Sequence, residues 1–331
     1  MKQNSRIQDK RINLTALKYI VSIYDHRNFV KAAEACHVSQ PALSTAVRNL
    51  EDELGIAIFD RNTYPVRPTA IGEKIVILAR KTLQDAAQIE EIVNTEKGEE
   101  SGNIEMGIIP TIAPYILPLL FKKMQSDHPA IHLRAIEMRT KFIIEKLLAS
   151  EIDMAILATP LNTPGLLEIP VYYEKFVAYI SPSEKDMYGL ENIPAAMLPS
   201  ERLWVLEEGH CLRSQVFNFC NSIKRSGSAY EAGSIDTLVK VVDANGGYTV
   251  IPELHTGYLT EAQKQNLRPI KGETSADSIH CNSCIPVREV SLVIREDYVR
   301  ERMLNIVADT IKTFIPDNML DARLKKFAIR L

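Results

Sequence analysis

Apolar residues first recur at helical spacing at Leu14, Leu17, Ile20 and Val21, predicting a helix over Leu14–Ser22. Phe29–Cys36 predicts a second, short helix with Ala32, Ala33 and Cys36 on its packed side. A turn at His37-Val38 leads to Ser39, a residue type that caps helix starts. Pro41 falls in the first turn, where a missing N–H is harmless. The next helix, Pro41–Leu54, carries Leu43, Val47, Leu50 and Leu54 on one face and stops at Gly55. Ile56–Phe59 and Val66–Pro68 predict two short strands around a turn at Asn62–Pro65. Helix, helix, turn, helix and hairpin, in that order, make a winged helix-turn-helix.

From Thr69 to about Lys97 one long pattern runs through Ile71, Ile75, Leu78, Ala79, Leu83, Ala86, Ile89 and Val93, at a spacing suited to a dimerisation helix. Lys97–Gly102 is hydrophilic with two glycines and marks a domain boundary. Beyond it the period alternates. Strands are predicted at Ile104–Ile108, Ile131–Glu137, Ile152–Ala158, Phe176–Ile180, Leu203–Leu206, Tyr248–Ile251 and Val290–Ile294. Helices are predicted at Tyr115–Ser126, Lys141–Ser150, near Arg213–Lys224, at Thr237–Ala244 and near Tyr298–Phe314. Such alternation predicts a mainly parallel α/β architecture.

The 331 residues, 46% apolar and 24% charged, suit a globular chain of two or three domains. The net charge of −3 says nothing for nucleic acid, but residues 1–70 hold ten basic against seven acidic side chains. The first thirteen residues are strongly polar, which predicts no secretory leader. The most apolar stretch, Met106–Phe121, is broken by Pro110, Pro114 and Pro118 and is too short to span a bilayer. Five cysteines without a leader read as cytoplasmic thiols, so any disulfide would be regulatory.

On the helix opened by Ser39-Gln-Pro-Ala-Leu-Ser44, the residues Ser39, Gln40, Pro41, Ser44, Thr45 and Arg48 form a candidate DNA-reading set, with Leu43, Val47 and Leu50 turned inward. Arg61, Arg67 and Thr69 on the wing would add phosphate or minor-groove contacts. Spacing alone fits a solvated amphipathic helix equally well. The segment Phe29–Arg61, with Ala32-Ala33, Val38-Ser-Gln-Pro-Ala-Leu-Ser44, Leu50-Glu-Asp-Glu-Leu-Gly55 and Phe59-Asp-Arg61, resembles the DNA-binding signature of LysR-type transcription regulators. Arg67-Pro-Thr-Ala-Ile-Gly72 resembles their wing and the start of their linker helix. The resemblance implies a winged helix-turn-helix DNA-binding domain at 1–70, a dimerisation helix at 71–98 and a two-lobed α/β regulatory domain like a periplasmic binding protein at 102–331. Lobe I would take about 102–174 and 288–331, and lobe II about 175–287. It also implies double-stranded promoter DNA and RNA polymerase as partners, a homodimer or homotetramer, and no membrane.

A second signal is Leu206-Glu-Glu-Gly-His-Cys-Leu-Arg-Ser-Gln215 with Cys220. Cys211 precedes an apparent helix, whose first N–H groups favour thiolate. His210 and Arg213 could add positive potential, and Glu207 and Glu208 oppose it. Within one helix Cys211 and Cys220 would stand ~13.5 Å apart along the axis, on opposite sides. A disulfide needs Cα atoms roughly 4.4–6.8 Å apart, so bonding them requires local unwinding. That is the property of a switch; two inert core cysteines are the alternative.

Glu207–Gln215 with Cys220 resembles the sensor segment of the OxyR subfamily, as do Gly107-Ile-Ile-Pro-Thr111 and Gly246-Gly-Tyr-Thr-Val-Ile-Pro252. The resemblance implies Cys211 as the hydrogen-peroxide-reacting thiol and Cys220 as its resolving partner, with Thr111, Thr140, His210, Gln215 and Arg288 lining the pocket. It implies an activator of oxidative-stress genes. Ser214 departs from the pattern, since the subfamily usually has Asp there. No cofactor, metal or catalytic turnover is expected. The competing readings are a LysR-type regulator of small-molecule metabolism with inert cysteines, and a thiol peroxidase, which leaves residues 14–72 unexplained. Cys281 and Cys284, after His280, lack a second pair for zinc and read as a loop, with a minor redox pair or a weak metal site as the alternatives. Cys36, Trp204 and Tyr172-Tyr173 read as packing, and His128 as a turn residue.

Overall fold

The computed structural model describes residues 12–96, 101–199, 202–219, 231–271, 286–298 and 300–327. The chain divides into two units, Met1–Glu100 with Ala149–Glu151, and Ser101–Leu148 with Ile152–Leu331.

In the first unit, α1 (Leu14–His26), α2 (Phe29–Ala35) and α3 (Gln40–Leu54) pack around Ile20, Ile23, Leu43, Val47 and Ile58, all fully buried. Ser39 caps α3, its hydroxyl accepting from the Ala42 N–H, and Gly55 ends the helix in the left-handed region. The wing is shorter than its sequence predicts: β1 (Phe59–Asp60) and β2 (Arg67–Pro68) pair over two residues each. The reason is Glu51. Its buried carboxylate takes the N–H groups of Ile58 and Phe59 at 2.7 and 3.2 Å, so they are not available to a partner strand. A single helix, α4 (Ala70–Glu96), follows. At its start Gly72 presses against the wing: a Cβ there would lie 2.0 Å from the Ile58 carbonyl oxygen, so only glycine fits.

The second unit runs β3 (Gly102–Ile108), α5 (Ala113–Asp127), β4 (Ile131–Glu137), α6 (Thr140–Leu148), β5 (Met154–Thr159), β6 (Leu166–Ile180), α7 (Lys185–Tyr188), β7 (Ile193–Pro194), β8 (Val205–Leu206), α8 (Cys211–Phe219), β9 (Glu231–Ala232), α9 (Ile235–Asn245), β10 (Tyr248–Pro252), α10 (Glu261–Lys264), β11 (Leu267–Lys271), β12 (Val287–Arg295) and α11 (Glu301–Lys312). The sheet order is β4-β3-β5-β12-β6-β11-β7, with β10 also on β6. The expectation of a mainly parallel sheet needs correcting. β3 is parallel to β4 and β5, but β12 runs antiparallel to β5 and β6, and β6 antiparallel to β10 and β11. The sheet is mixed because its two longest members, β6 and β12, pair with each other across the middle, a long-range contact that local periodicity does not encode.

Two hydrophobic cores make the two lobes. One joins β3, α5, α6, β5, β12, α11 and β6 up to Tyr172; the other joins β6 from Phe176 with α8, α9, β10 and β11. Strand β6 therefore crosses from lobe to lobe, and Glu174 lies at the crossing. The first half of β6 escapes sequence reading because Pro170 interrupts it; next to it Val171 is the extra residue of a bulge in β6, opposite Val290 and Ser291 of β12. Pro118 lies inside α5 and has no N–H for the Pro114 carbonyl. The Tyr258 hydroxyl, from the second lobe's side, donates to that carbonyl at 3.0 Å. No described helix is long and apolar enough to cross a membrane.

Candidate functional site

Cys211 opens α8, two residues earlier than its pattern predicts. Gly209, with φ +97°, turns the chain into the helix, and a Cβ there would meet Arg139 Cδ at 3.0 Å. Thr140 opens α6, and its hydroxyl oxygen lies 3.2 Å from Cys211 Sγ. The Cys211 side chain packs on the first core. Burial pushes its thiol above the ordinary value, while the Thr140 hydrogen bond, the Arg288 charge and the N–H groups of Cys211 and Leu212 pull it back. Burial prevails, so the resting sulfur is a thiol.

Arg288 and Glu174 are cross-strand partners in the β12–β6 register, and both side chains are fully buried. Glu174 Oε2 accepts from Arg288 Nε at 2.7 Å and Nη2 at 2.6 Å. Arg288 Nη1 donates to the Thr111 hydroxyl at 3.2 Å, and Nη2 to the Thr111 carbonyl at 3.0 Å. Glu174 Oε1 accepts the Leu254 N–H at 2.8 Å. Burial pushes the Glu174 carboxyl up, but Arg288 and the Leu254 N–H oppose it, and at these distances the pair is ionised.

His210 is buried, with Nε2 3.6 Å from Glu207 Oε1. The expectation that it adds positive potential is corrected: burial holds its imidazole below the ordinary value despite Glu207, so it is neutral at pH 7. Glu207 is bound by Arg139 at 2.5 Å, which with His210 keeps its carboxyl below the ordinary range. Gln215, one turn after Cys211, is fully buried, and neither amide atom has a partner among the described residues. Ser214 faces outward. Cys220, His280, Cys281 and Cys284 lie outside the described residues. Cys36 packs against the first unit's core, and the Trp204 indole donates to the Gly246 carbonyl at 2.8 Å. Tyr172 and Tyr173 are buried.

In the first unit, α3 exposes Ser39, Gln40, Pro41, Thr45 and Arg48, with Ser44 half-buried, opposite its core face. Arg67 is exposed on the wing. Arg61 is engaged internally: Nη2 meets Glu51 Oε2 at 2.7 Å, and its guanidinium lies 5.5 Å from the Phe29 ring centre.

Residues 14–73 match the family model described as bacterial regulatory helix-turn-helix protein, lysR family, and residues 97–314 match LysR substrate binding domain. The chain belongs to the LysR family. Its LysR-type relatives include the hydrogen peroxide-inducible genes activator of Haemophilus influenzae, 31% identical over 92% of this chain and 99% of that one. The DNA-binding transcriptional dual regulator OxyR of Escherichia coli is 33% identical over 73% of this chain and 80% of that one. Among solved structures, a full-length OxyR variant from Pseudomonas aeruginosa matches with a TM-score of 0.74 at 32% identity, over 91% of this chain and 97% of that one. Of the LysR-type pocket set expected from sequence, the structure brings Thr140 to Cys211 and Thr111 to Arg288, with His210 and Gln215 flanking the thiol in sequence. Sequence reading missed Glu174, the counter-charge of Arg288, and Arg139, which covers Gly209. A buried ion pair between strands leaves no local signal; for Arg139 the one available signal is that it adjoins Thr140 in the chain.

Proposed function

We propose that this protein is a hydrogen-peroxide-responsive transcription activator, switched by a reversible disulfide between Cys211 and Cys220. The observation that carries the reading is the setting of Cys211: a thiol at a helix N-terminus, 3.2 Å from the Thr140 hydroxyl and within the field of buried Arg288. A small guest with both donor and acceptor capacity suits the unpartnered Gln215 amide nearby. The Cys211 thiol gives up its proton, the thiolate attacks one oxygen of hydrogen peroxide, the O–O bond breaks, and the leaving hydroxide takes that proton and departs as water, giving a sulfenic acid. The Cys220 thiolate then attacks that sulfur, the S–O bond breaks, and the oxygen leaves as water after taking a proton.

Helix α8 must open for the second step. From Cys211 to Phe219 it rises about 12 Å, and the next Cα can lie no more than about 3.8 Å from that of Phe219. A Cα approach of roughly 4.4–6.8 Å is therefore out of reach while the helix is intact. Refolding of this segment is the event that passes from thiol chemistry to the DNA-binding unit.

In that unit Ser39, Gln40, Pro41, Ser44, Thr45 and Arg48 meet the major groove, and Arg67 the backbone, while Arg61 mainly braces the wing through Glu51. The protein acts in the cytoplasm as a dimer or tetramer built on α4, engages RNA polymerase at promoters, and consumes one peroxide per reduction cycle rather than turning over as an enzyme. Exposed Ile71, Leu78, Ile89 and Val93 along α4 support the dimer.

Thiol counting by alkylation and mass spectrometry, before and after a stoichiometric pulse of peroxide, tests the switch. A Cys211–Cys220 bond formed within seconds, reversed by reductant and lost in Cys211→Ser, is expected. Free thiols at both positions, or reaction at Cys281 and Cys284 instead, refutes it and favours a small-molecule effector.

A further inference from the structure

The thiol site draws on the Arg288 cation, but the counter-charge of that cation, Glu174, has no part in the peroxide chemistry described above. Arg288 and Glu174 are wholly inside the protein, where an ion pair gives no assured stability over apolar residues of similar size. Its geometry is unusually constrained. The carboxylate is fixed on two sides, by two Arg288 nitrogens on Oε2 and by the Leu254 N–H on Oε1. The guanidinium is fixed on two sides as well, by Glu174 and by both oxygens of Thr111. Glu174 comes from the point where β6 passes between the lobes, Thr111 from the turn before α5, and Leu254 from the segment after β10. The pair thus sits in a cage of four chain segments, and the Arg288 charge is one of the influences that pull the buried Cys211 thiol back down.

We propose that Glu174 is a positioning residue for the thiol site: it holds the Arg288 guanidinium on Thr111 and limits how much of its positive charge reaches Cys211. The inference rests on the reading of Cys211 as the peroxide-reacting thiol. The two effects oppose each other. Orientation gives the reacting sulfur a fixed cation, whereas the adjacent carboxylate damps that cation and so adds to burial, which keeps the resting sulfur protonated. A site built this way is quiet toward general electrophiles and still presents a charge to a peroxide as negative charge develops on it.

The effects separate in two variants of the full-length reduced protein. Glu174→Gln keeps the shape and removes the charge, so the pH midpoint for alkylation of Cys211 by iodoacetamide, read by mass spectrometry of its peptide, should fall by about one unit. Glu174→Asp keeps the charge but withdraws it by one methylene. Its alkylation midpoint should stay at the wild-type value, while oxidation of Cys211 by peroxide should slow about ten-fold as Arg288 is drawn off Thr111. Circular dichroism confirms folding; should Glu174→Gln not fold, Glu174→Asp decides alone. An unchanged midpoint in folded Glu174→Gln, or wild-type peroxide kinetics in Glu174→Asp, overturns the proposal. Failure of wild-type Cys211 to react with peroxide is a different result: it removes the sensor reading, and the alkylation midpoints still report whether Glu174 governs the thiol.

Discussion

Two helices of this molecule begin at residues that matter for function, and they are built in opposite ways. Helix α3 runs fifteen residues between a serine cap and a left-handed glycine, with Pro41 in its first turn and Leu43, Val47 and Leu50 buried beneath it. Its functional side chains point outward. Helix α8 runs nine residues from Cys211, and its functional side chains point inward. Among its buried residues is Gln215, an amide without a partner among the described residues. Isolated helices this short are marginal in water, and a buried unpaired amide weakens one further. A surface that must fit a rigid partner is reinforced by its own sequence. A segment that must refold is held by tertiary contacts that a chemical event can cancel.

The sharpest way to break the rigid half is Gly72→Ala. The new methyl would collide with the Ile58 carbonyl, so the wing and α4 would have to part. A loss of about 3 kcal/mol is expected from the first unit, and with it a fall of about 10 °C or more in that unit's calorimetric transition. Cys211 oxidation should be untouched. An unshifted transition would show that the close approach is not a constraint. A milder break is Arg48→Ala, which removes an exposed cation from the outward face of α3. Operator affinity should fall about ten-fold or more, in both redox states, with no change in thermal stability. Undiminished affinity would remove Arg48 from the interface.

The contrast also explains what the sequence discloses. The ends of α3 were legible because caps are local: Ser39, Pro41 and Gly55 declare them within a few residues. The extent of α4 was legible for the same reason, through an unbroken apolar period. Cys211 could be placed at a helix start because a short motif carries it, whereas Thr140 and Arg288 could be nominated only through the family resemblance. Their electrostatics could not be read. His210 looks like a cation in sequence and is neutral because it is buried, which is a property of the tertiary structure. Arg61 looks free for DNA and is bound to Glu51, ten residues away. Glu174 meets Arg288 only because β6 and β12 pair in one register, so no window along the chain contains that pair.

The smallest effect tests the comparison most directly, because one substitution should have opposite signs in the two helices. Ser39→Ala deletes the acceptor of the Ala42 N–H and should destabilise the first unit by about 1 kcal/mol, read as a lower melting temperature without DNA. Ser214→Ala replaces an exposed serine within α8 by the best helix former. It should stabilise α8 by about 0.5 kcal/mol, and since the disulfide step requires that helix to open, closure should slow about two-fold. Formation of the sulfenic acid, which needs no opening, should keep its rate. Rapid quenching with a sulfenic-acid trap and mass spectrometry separates the two steps. If both steps keep their wild-type rates while Ser214→Ala raises the stability of α8, opening of that helix does not limit the switch, and the contrast between a helix built to hold and one built to yield fails at its second term.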